Sequence, residues 1–178
     1  MANPSHIAQL DQGILSWNQW REAHPDVVPD LTGADLTGRM LQGINLSGAN
    51  LKGTLFTVAE LEKANLDRAD LSGGNLTGAD LSQLTARSAI FIGVDLSYAT
   101  LTFADFSNSD FTGCRFSEAI LFNTVLKNAK MIGTHFRETI LTGCDCSGAI
   151  FTDAHLIDVS IEGAIMPIDM PKIYRSED

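Results

Sequence analysis

Few residues of this chain have types and spacings that could support chemistry. Cys144 and Cys146 lie close together in the sequence, and Cys114 is the third cysteine of the chain. Thiolates are strong zinc ligands, but a structural zinc site needs four ligands that converge and a catalytic site needs three. No further Cys or His has a spacing that would complete such a set, so we interpret all three cysteines as small buried residues.

Two histidines form the second candidate. Arg115, His135 and His155 stand at equal intervals along the chain. If the chain coils with that interval as its period, the three side chains form one outward column, and the histidines could in principle share a metal ion. Charged residues of both signs surround them: Glu118, Arg137, Glu138 and Asp158. We therefore interpret the column as a solvated, mutually compensating charge lattice, and we expect neither a metal nor another cofactor.

Motifs and composition exclude several functional classes. The chain has no nucleophile elbow, phosphate-binding glycine loop, HExxH motif or protein-kinase signature. Its content of 44% hydrophobic and 19% charged residues is typical of one soluble folded domain. A net charge of -10 argues against binding to nucleic acids or anionic membranes, which reward clustered Lys and Arg. We predict a protein that is not an enzyme.

Sequence features also predict a location. The longest apolar runs contain only a few residues, far fewer than the roughly 20 that a transmembrane helix needs. The segment 1–12 carries no basic residue before an apolar core, as a secretory signal would. We therefore expect a cytoplasmic protein whose cysteines remain thiols.

A five-residue repeat must position all of these side chains. Between 31 and 166, the positions whose numbers end in 1 or 6 are mostly Leu or Phe, and we call them the central residues. Ala is the commonest residue two positions before a central residue, and Gly is the commonest two positions after it. This period matches neither a helix nor a flat strand. It fits a chain in which the small and central residues point inward and an outward corner follows them. Such a chain coils, and its coils hydrogen-bond to one another at about 4.8 Å.

The repeated motif resembles that of the pentapeptide-repeat family. It stands here as Ala49-Asn50-Leu51, Ala64-Asn65-Leu66, Ala69-Asp70-Leu71 and Ala79-Asp80-Leu81. The resemblance implies an all-β solenoid, a right-handed quadrilateral β-helix with four pentapeptides in each coil. On that basis we expect about seven coils and a rod of about 33 Å over the segment 30–167. The segment Trp17–Arg21, followed by Pro29–Leu31, is similar to the lead-in of some cyanobacterial members.

The two ends of the repeat have different signals. The segment 1–29 predicts a capping helix and lead-in, with a helix that starts near Asn3 or Ser5 and ends at His24. We expect this helix to cover the open edge of the first coil, with Trp17 and Trp20 as capping residues. The segment 168–178 forms a tail that folds back over the last coil or frays, because Pro167 and Pro171 are expected to end the ladder.

Arg39, Leu84 and Ala86 depart from the repeat. Arg39 and Leu84 occupy sites where small residues are usual, and Ala86 is small for a central site. We expect Arg39 to extend toward the N-terminal helix and Leu84 to fill the space beside Ala86. We interpret both Arg39 and Leu84 as packing adjustments.

Apolar residues that point outward provide the best candidate for a functional surface. Phe103, Ile120, Phe122 and Ile140 are expected to cluster, and we call them the candidate partner surface. A secondary apolar surface comprises Ile90, Ile92, Ile132 and Ile150. Exposed apolar clusters often mark contact surfaces, although the β-propensity of Ile and Phe on a ladder is the alternative explanation. We predict a rigid scaffold for protein–protein interaction, whose partner is an unknown protein or a second copy.

The resemblance also implies an alternative function. Some pentapeptide-repeat members are acidic rods that imitate duplex DNA and bind type II topoisomerases such as gyrase. The segment 31–166 contains 15 Asp plus Glu and 9 Lys plus Arg, a net charge of -6. Duplex DNA carries about -19 over the same length of about 33 Å. The imitation would therefore be weak, and we rank this function second.

Overall fold

Two short helices precede a long β-helix in the computed structural model, which describes residues 1–176. Helix α1 spans Pro4–Leu10 and helix α2 spans Ile14–Ala23. Three short strands near the C-terminal end form a parallel sheet in the order β1-β2-β3. They are β1 (His135–Arg137), β2 (His155–Ile157) and β3 (Ile173–Tyr174). Among the described residues, no helix combines the length and the apolar character required to span a bilayer.

Parallel pairing at a constant interval builds the β-helix. Isolated bridges join each position to the one four pentapeptides later, from the Asp30–Asn50 pair to the Asp145–Ile165 pair. Strands β1 and β2 continue the same register, since His135 pairs with His155. Four pentapeptides therefore separate paired residues, and the bridges run in four parallel columns that begin at Asp30, Asp35, Met40 and Asn45.

Main-chain hydrogen bonds explain why the chain can coil so tightly. In the pentapeptide 70–74, the N–H groups of Asp70, Leu71 and Gly73 donate to carbonyl oxygens of neighbouring coils at distances of 3.0, 2.7 and 2.9 Å. The N–H of Gly74 donates to the carbonyl oxygen of Leu71 at 2.9 Å, which closes a turn. Only the N–H of Ser72 lacks a main-chain acceptor in this unit.

The Asp or Asn of the motif provides the missing acceptor. The N–H of Ser72 donates to Oδ1 of Asp70 at 3.0 Å, and the Ser72 hydroxyl donates to the same atom at 2.6 Å. Asn75 accepts the N–H of Thr77 in the same way at 2.9 Å. Because short carboxylate and amide side chains bond the backbone two residues on, the repeat favours Asp and Asn before each central residue.

The corners of the coil require left-handed backbone. Every residue two positions after a central residue, from Gly33 to Gly163, has positive φ, and about half of these residues are not glycine. They include Val58 at 50°, Tyr98 at 62° and Phe103 at 60°. L-residues are strained in this region, which is why glycine is common there.

The predicted inward direction of the central residues is confirmed. Every central residue from Leu31 to Leu156 is buried, whereas Ile161 and Met166 at the last coil are partly buried. Aromatic rings stack along the axis, with the Phe91 and Phe111 centroids 4.7 Å apart. Side chains therefore fill the interior of the coil continuously.

The N-terminal segment differs from the single helix that the sequence predicts. Helix α1 ends at Leu10 and α2 begins at Ile14. Gly13 between them has φ of 94°, and its N–H donates to the carbonyl oxygen of Leu10 at 3.0 Å. The prediction of one continuous helix is wrong, because this glycine adopts a conformation that a helix cannot contain.

Helix α2 lies against the first coils through polar contacts of buried side chains. Trp17 is fully buried, and Trp20 is half-buried with its ring centroid 5.2 Å from that of Trp17. The buried Arg21 donates to the carbonyl oxygens of Val27 and Ser47 at 2.7 and 2.8 Å. These bonds join the helix both to the lead-in and to the first coils.

Arg39 extends toward the helices, as predicted. Both of its terminal nitrogens lie 2.9 Å from Oδ1 of Asp11, in the segment between α1 and α2. Leu84 and Ala86 are both buried, in agreement with a packing role.

The ladder continues beyond Pro167, contrary to the sequence prediction. Strand β3 pairs with β2 in parallel, with Leu156 opposite Ile173. The N–H of Asp158 donates to the carbonyl oxygen of Tyr174 at 2.9 Å. Proline removes a donor but leaves carbonyl acceptors along the segment, so Pro167 and Pro171 do not prevent this pairing. The last two positions of the predicted tail, 177 and 178, lie outside the described residues.

Candidate functional site

The candidate partner surface forms where three coils meet. Ile120 and Ile140 are paired across adjacent coils. Phe122 lies two residues after Ile120 in the sequence. The carbonyl oxygen of Phe122 accepts a hydrogen bond from the N–H of Phe103 at 3.0 Å. The Phe103 and Phe122 rings meet edge to face, with centroids 5.9 Å apart and an interplanar angle of 83°. The structure thus places Ile120 beside Ile140 and Phe103 beside Phe122 on adjacent coils.

All four side chains are exposed. Phe103 is 57% accessible and Phe122 is 40% accessible, and the two isoleucines have similar values to Phe122. Small polar side chains border them: Ser160 pairs with Ile140 on the next coil, and its hydroxyl lies 3.2 Å from that of Thr142. An apolar group with a polar border is the arrangement that contact surfaces show.

Phe103 occupies a strained position. It lies at a corner with φ of 60°, where glycine is favoured. A large aromatic residue there costs folding free energy and exposes its ring to water. Phe103 shares this backbone with the other non-glycine corners, and it differs from most of them in presenting a large apolar ring to solvent.

The secondary apolar surface is divided into two pairs. Ile90 and Ile92 lie on one coil. Ile132 and Ile150 lie on adjacent coils, where the N–H of Met131, the residue before Ile132, donates to the Ile150 carbonyl oxygen at 2.7 Å. A polar coil separates the pairs. On it, Oδ2 of Asp110 lies 3.2 Å from Nζ of a neighbouring lysine, Lys130. Ile132 is also only partly accessible, so these four isoleucines do not form one continuous patch.

The three cysteines are fully buried, and two of them are bonded to the main chain. The thiol of Cys114 donates to the carbonyl oxygen of Phe91 at 2.7 Å, and that of Cys144 to the carbonyl oxygen of Leu121 at 2.8 Å. Burial raises the pKa of Cys114 and of Cys144 to about 12, and burial also raises the pKa of Cys146. All three thiols are therefore protonated at neutral pH, which suits packing and not ligation.

The histidine column lies on strands β1 and β2. The rings of His135 and His155 are stacked, with centroids 4.8 Å apart and an interplanar angle of 4°. Burial, followed by the nearby His155 and then Arg115, lowers the pKa of His135. Within residues 1–176, no group of three or more His, Cys, Asp or Glu side chains is placed to hold a metal ion.

Charge compensation around this column is incomplete, which corrects the interpretation as a mutually compensating lattice. Nε of Arg137 lies 3.2 Å from Oε1 of Glu138. Arg115, however, makes no ion pair within the described part of the chain. Side-chain conformation decides which neighbours pair, and a column in the sequence does not contain that information.

The basic residues of the column line a depression of about 320 Å³, which the sequence did not predict. A signal for it exists in the sequence. Positions 115, 135 and 155 carry a basic or aromatic residue where the motif favours Asp or Asn. Each replacement removes an acceptor for the backbone and adds a side chain that can bind an anion.

Several solved structures match this chain. QnrB1, described as a plasmid-mediated fluoroquinolone resistance protein, is 19% identical over 78% of this chain and 86% of its own, with a TM-score of 0.49. HetL, a pentapeptide repeat protein involved in heterocyst differentiation regulation from Nostoc sp. strain PCC 7120, is 29% identical. The match covers 75% of this chain and 73% of HetL, with a TM-score of 0.31.

Rfr23, a pentapeptide repeat protein from the cyanobacterium Cyanothece 51142, is 27% identical over 58% of this chain and 64% of its own, with a TM-score of 0.23. No curated protein matches the sequence. The family model described as pentapeptide repeats matches in eight copies, at positions 30–57, 44–83, 89–128, 119–158 and 129–166. Since these matches cover most of the chain and coincide with the ladder of coils, the chain belongs to the pentapeptide-repeat family.

Proposed function

We propose that the chain is a non-enzymatic, rigid scaffold that binds a protein partner, or a second copy of itself, through the candidate partner surface. The observation that carries this proposal is the contact between Phe103 and Phe122. Two exposed aromatic rings meet edge to face across adjacent coils. One of them occupies a corner with left-handed backbone.

The scaffold we propose is a right-handed, four-sided rod of about seven coils, with α1 and α2 as its N-terminal cap. Rigidity follows from the filled axis and from the ladder, in which most backbone donors are bonded. A rigid surface loses little conformational entropy when it binds, so modest apolar contacts can hold a partner. We place this role in the cytoplasm.

Aromatic side chains strengthen the choice of surface. Phe and Tyr are enriched at the centres of protein interfaces, where they bury large areas with few rotatable bonds. Ile120 and Ile140 extend the patch along the ladder beside the two rings. A partner that covers the patch would exclude water from a continuous apolar contact.

The test uses two double variants that introduce the same number of carboxylates. Phe122→Asp with Ile140→Asp places them inside the patch. Asn108→Asp with Thr152→Asp adds equal charge at exposed polar sites elsewhere on the coil. We expect the first variant to lose self-association or partner capture in a pull-down from native cells, and the second to retain both. Mass in solution and the set of captured proteins are the readouts.

A third variant compares the two apolar surfaces. Ile90→Asp with Ile150→Asp alters the secondary apolar surface by the same chemistry. If this variant loses binding while the Phe122 and Ile140 variant keeps it, the functional surface is the secondary one. Unchanged mass and capture in the Phe122 and Ile140 variant contradict the proposal. A gyrase supercoiling assay with the wild-type protein tests the alternative DNA-mimic function independently of the patch.

A further inference from the structure

The depression beside the histidine column is basic on an acidic protein. Its volume is about 320 Å³, and the residues that line it are Arg115, Ser117, His135, Phe136, Arg137, His155 and Ile157. None of them is a carboxylate, although the whole chain has a net charge of -10. The two guanidinium groups therefore bring positive charge to this depression, and the histidines add to it only when they are protonated.

The guanidinium groups in this depression are only weakly neutralised. Arg115 has no ion pair within residues 1–176. Arg137 contacts Glu138 through Nε alone, and both side chains of this pair are more than half exposed. Exposed pairs of this kind are weak. Both arginines can therefore direct their terminal N–H groups to a ligand.

Ser117 also lines the depression and brings a main-chain donor to it. One coil earlier, the N–H of Ser97 donates to Oδ1 of Asp95 at 2.9 Å. Arg115 replaces this acceptor in the next coil, and the N–H of Ser117 makes no hydrogen bond to any residue in 1–176. Arg115, at a site where the motif favours Asp or Asn, thus introduces a positive charge and also leaves the Ser117 N–H without its usual acceptor.

The histidine geometry favours an anion over a metal ion. A ring nitrogen's lone pair lies in the plane of the imidazole, and the His135 and His155 planes are parallel within 4°. Stacked parallel rings direct their lone pairs side by side and not to a common point. Arg115, which pairs with His135 along the ladder, would also repel a cation.

We propose that Arg115, the Ser117 N–H, His135, Arg137 and His155 bind a tetrahedral oxyanion, namely a phosphate group on a small ligand. The planar guanidinium matches two oxygens of such a group at once. Arg115 and His155 are two coil steps apart, or about 10 Å, which leaves room for a diphosphate. The depression lies at the lower end of the volumes that small-molecule sites occupy.

The histidines make this binding depend on pH. A bound dianion favours the protonated imidazole of His135, so affinity rises as pH falls from about 8 to about 6. The other charged groups nearby are Asp95, Glu118, Glu138, Asp158 and Arg175. Sulfate is a suitable probe because it remains a dianion there, whereas phosphate monoesters titrate near pH 6.

The experiment is a sulfate titration of the full chain followed by NMR at both pH values. We expect saturable shifts of the His135 and His155 ring signals and of the Ser117 amide, with several-fold tighter binding at the lower pH. Arg115→Gln should weaken binding about tenfold or more, because it removes charge-assisted hydrogen bonds. Arg87→Gln is the matched control: Arg87 lies elsewhere and pairs with Asp105 at 2.6 Å, so sulfate affinity should not change.

Two further arms complete the test. His135→Gln should reduce the difference in affinity between the two pH values while Arg115 still binds the anion. Inorganic phosphate and diphosphate should displace sulfate at the higher pH. Shifts that do not saturate, equal affinity in Arg115→Gln, or no displacement by either phosphate would overturn the proposal. Thermal melting of each variant verifies that it is folded.

Discussion

The indole Nε1 of Trp17 donates a hydrogen bond to the carbonyl oxygen of Asn45 at 2.7 Å. Asn45 in turn donates its N–H to Oδ1 of Asn18, at 2.8 Å. Helix α2 is thus bonded to the first coils by donors in both directions. These two hydrogen bonds give main-chain groups of Asn45, at the start of the ladder, partners on the helix.

Trp17→Phe tests this attachment. An aromatic ring is retained, but the Asn45 carbonyl oxygen loses its donor, and we expect a loss of about 1–3 kcal/mol in the free energy of unfolding. Urea denaturation measures the change. Leu15→Ala on the same helix is the control, since Leu15 is exposed and should alter stability by no more than about 0.5 kcal/mol. Equal effects of the two substitutions would contradict the role of the indole hydrogen bond.

Insertions test the period of the coil. A single residue inserted between Gly73 and Gly74 moves every later central residue out of the axis, so we expect loss of the cooperative melting transition. Insertion of a complete pentapeptide, a second Ala69–Gly73 unit, keeps central residues inward and should preserve it. Circular dichroism during heating distinguishes the two variants. Normal melting after the single insertion would refute the inward assignment.

Val58→Gly tests the cost of left-handed corners. Val58 is a β-branched residue with φ of 50°, and its side chain is exposed. Glycine should relieve this strain and stabilise the folded state by about 1 kcal/mol. The greater conformational entropy of glycine in the unfolded chain offsets part of that gain. Gly38→Val is the reverse exchange at the matching corner one coil earlier and should destabilise the fold. The midpoints of urea unfolding should therefore move in opposite directions.

Thiol reactivity tests the burial of the cysteines. Because burial holds the pKa of Cys114 and Cys144 at about 12, neither provides appreciable thiolate at a pH of about 8. A chromogenic disulfide reagent should modify no thiol in the folded protein and all of them in denaturant. Rapid modification of one thiol under native conditions would show that a cysteine is accessible.

Titration of Asp145 tests the carboxylate bonds of the corners. The Ser147 hydroxyl and, more weakly, Lys127 at 3.0 Å hold the pKa of Asp145 below its usual 3.8. Ser147→Ala should therefore raise this pKa more than Lys127→Met does, as measured by carboxylate NMR. The reverse order would contradict the assignment of the hydroxyl as the main cause.

The lowered pKa of Asp145 also has a consequence for stability. A carboxylate whose pKa is lower in the folded state contributes stability above its unfolded pKa of about 3.9, and that contribution disappears as pH falls through the folded value. Asp35 and Asp158 are shifted in the same direction by their Thr37 and Ser176 hydrogen bonds. Melting temperature should thus be nearly constant from about pH 5 to 7 and fall below about pH 4. A melting temperature that rises on acidification would contradict this.

The coil itself could be predicted because the repeat is local. Burial of Leu71, Leu96 and Phe116 follows from position within a pentapeptide, whatever the neighbouring coil contains. The grouping of Phe103 with Phe122 could be predicted only with the four-pentapeptide coil that the family resemblance implies, since that register places them on adjacent coils. The break at Gly13 could not, because glycine is tolerated within helices and only its φ of 94° identifies the turn.

The period and the inward residues therefore follow from the sequence, because they depend on backbone geometry that every pentapeptide repeats. The four pentapeptides of each coil, and with them the order of the outward columns, were expected only from the family resemblance, and the bridges of the structure show that interval. The tertiary structure decided which outward side chains pair. It left Arg115 without an ion pair among the described residues, stacked His135 on His155 and extended the ladder to Tyr174. Such contacts involve exposed side chains and chain ends, where rotamer choice and competition with water outweigh the repeat.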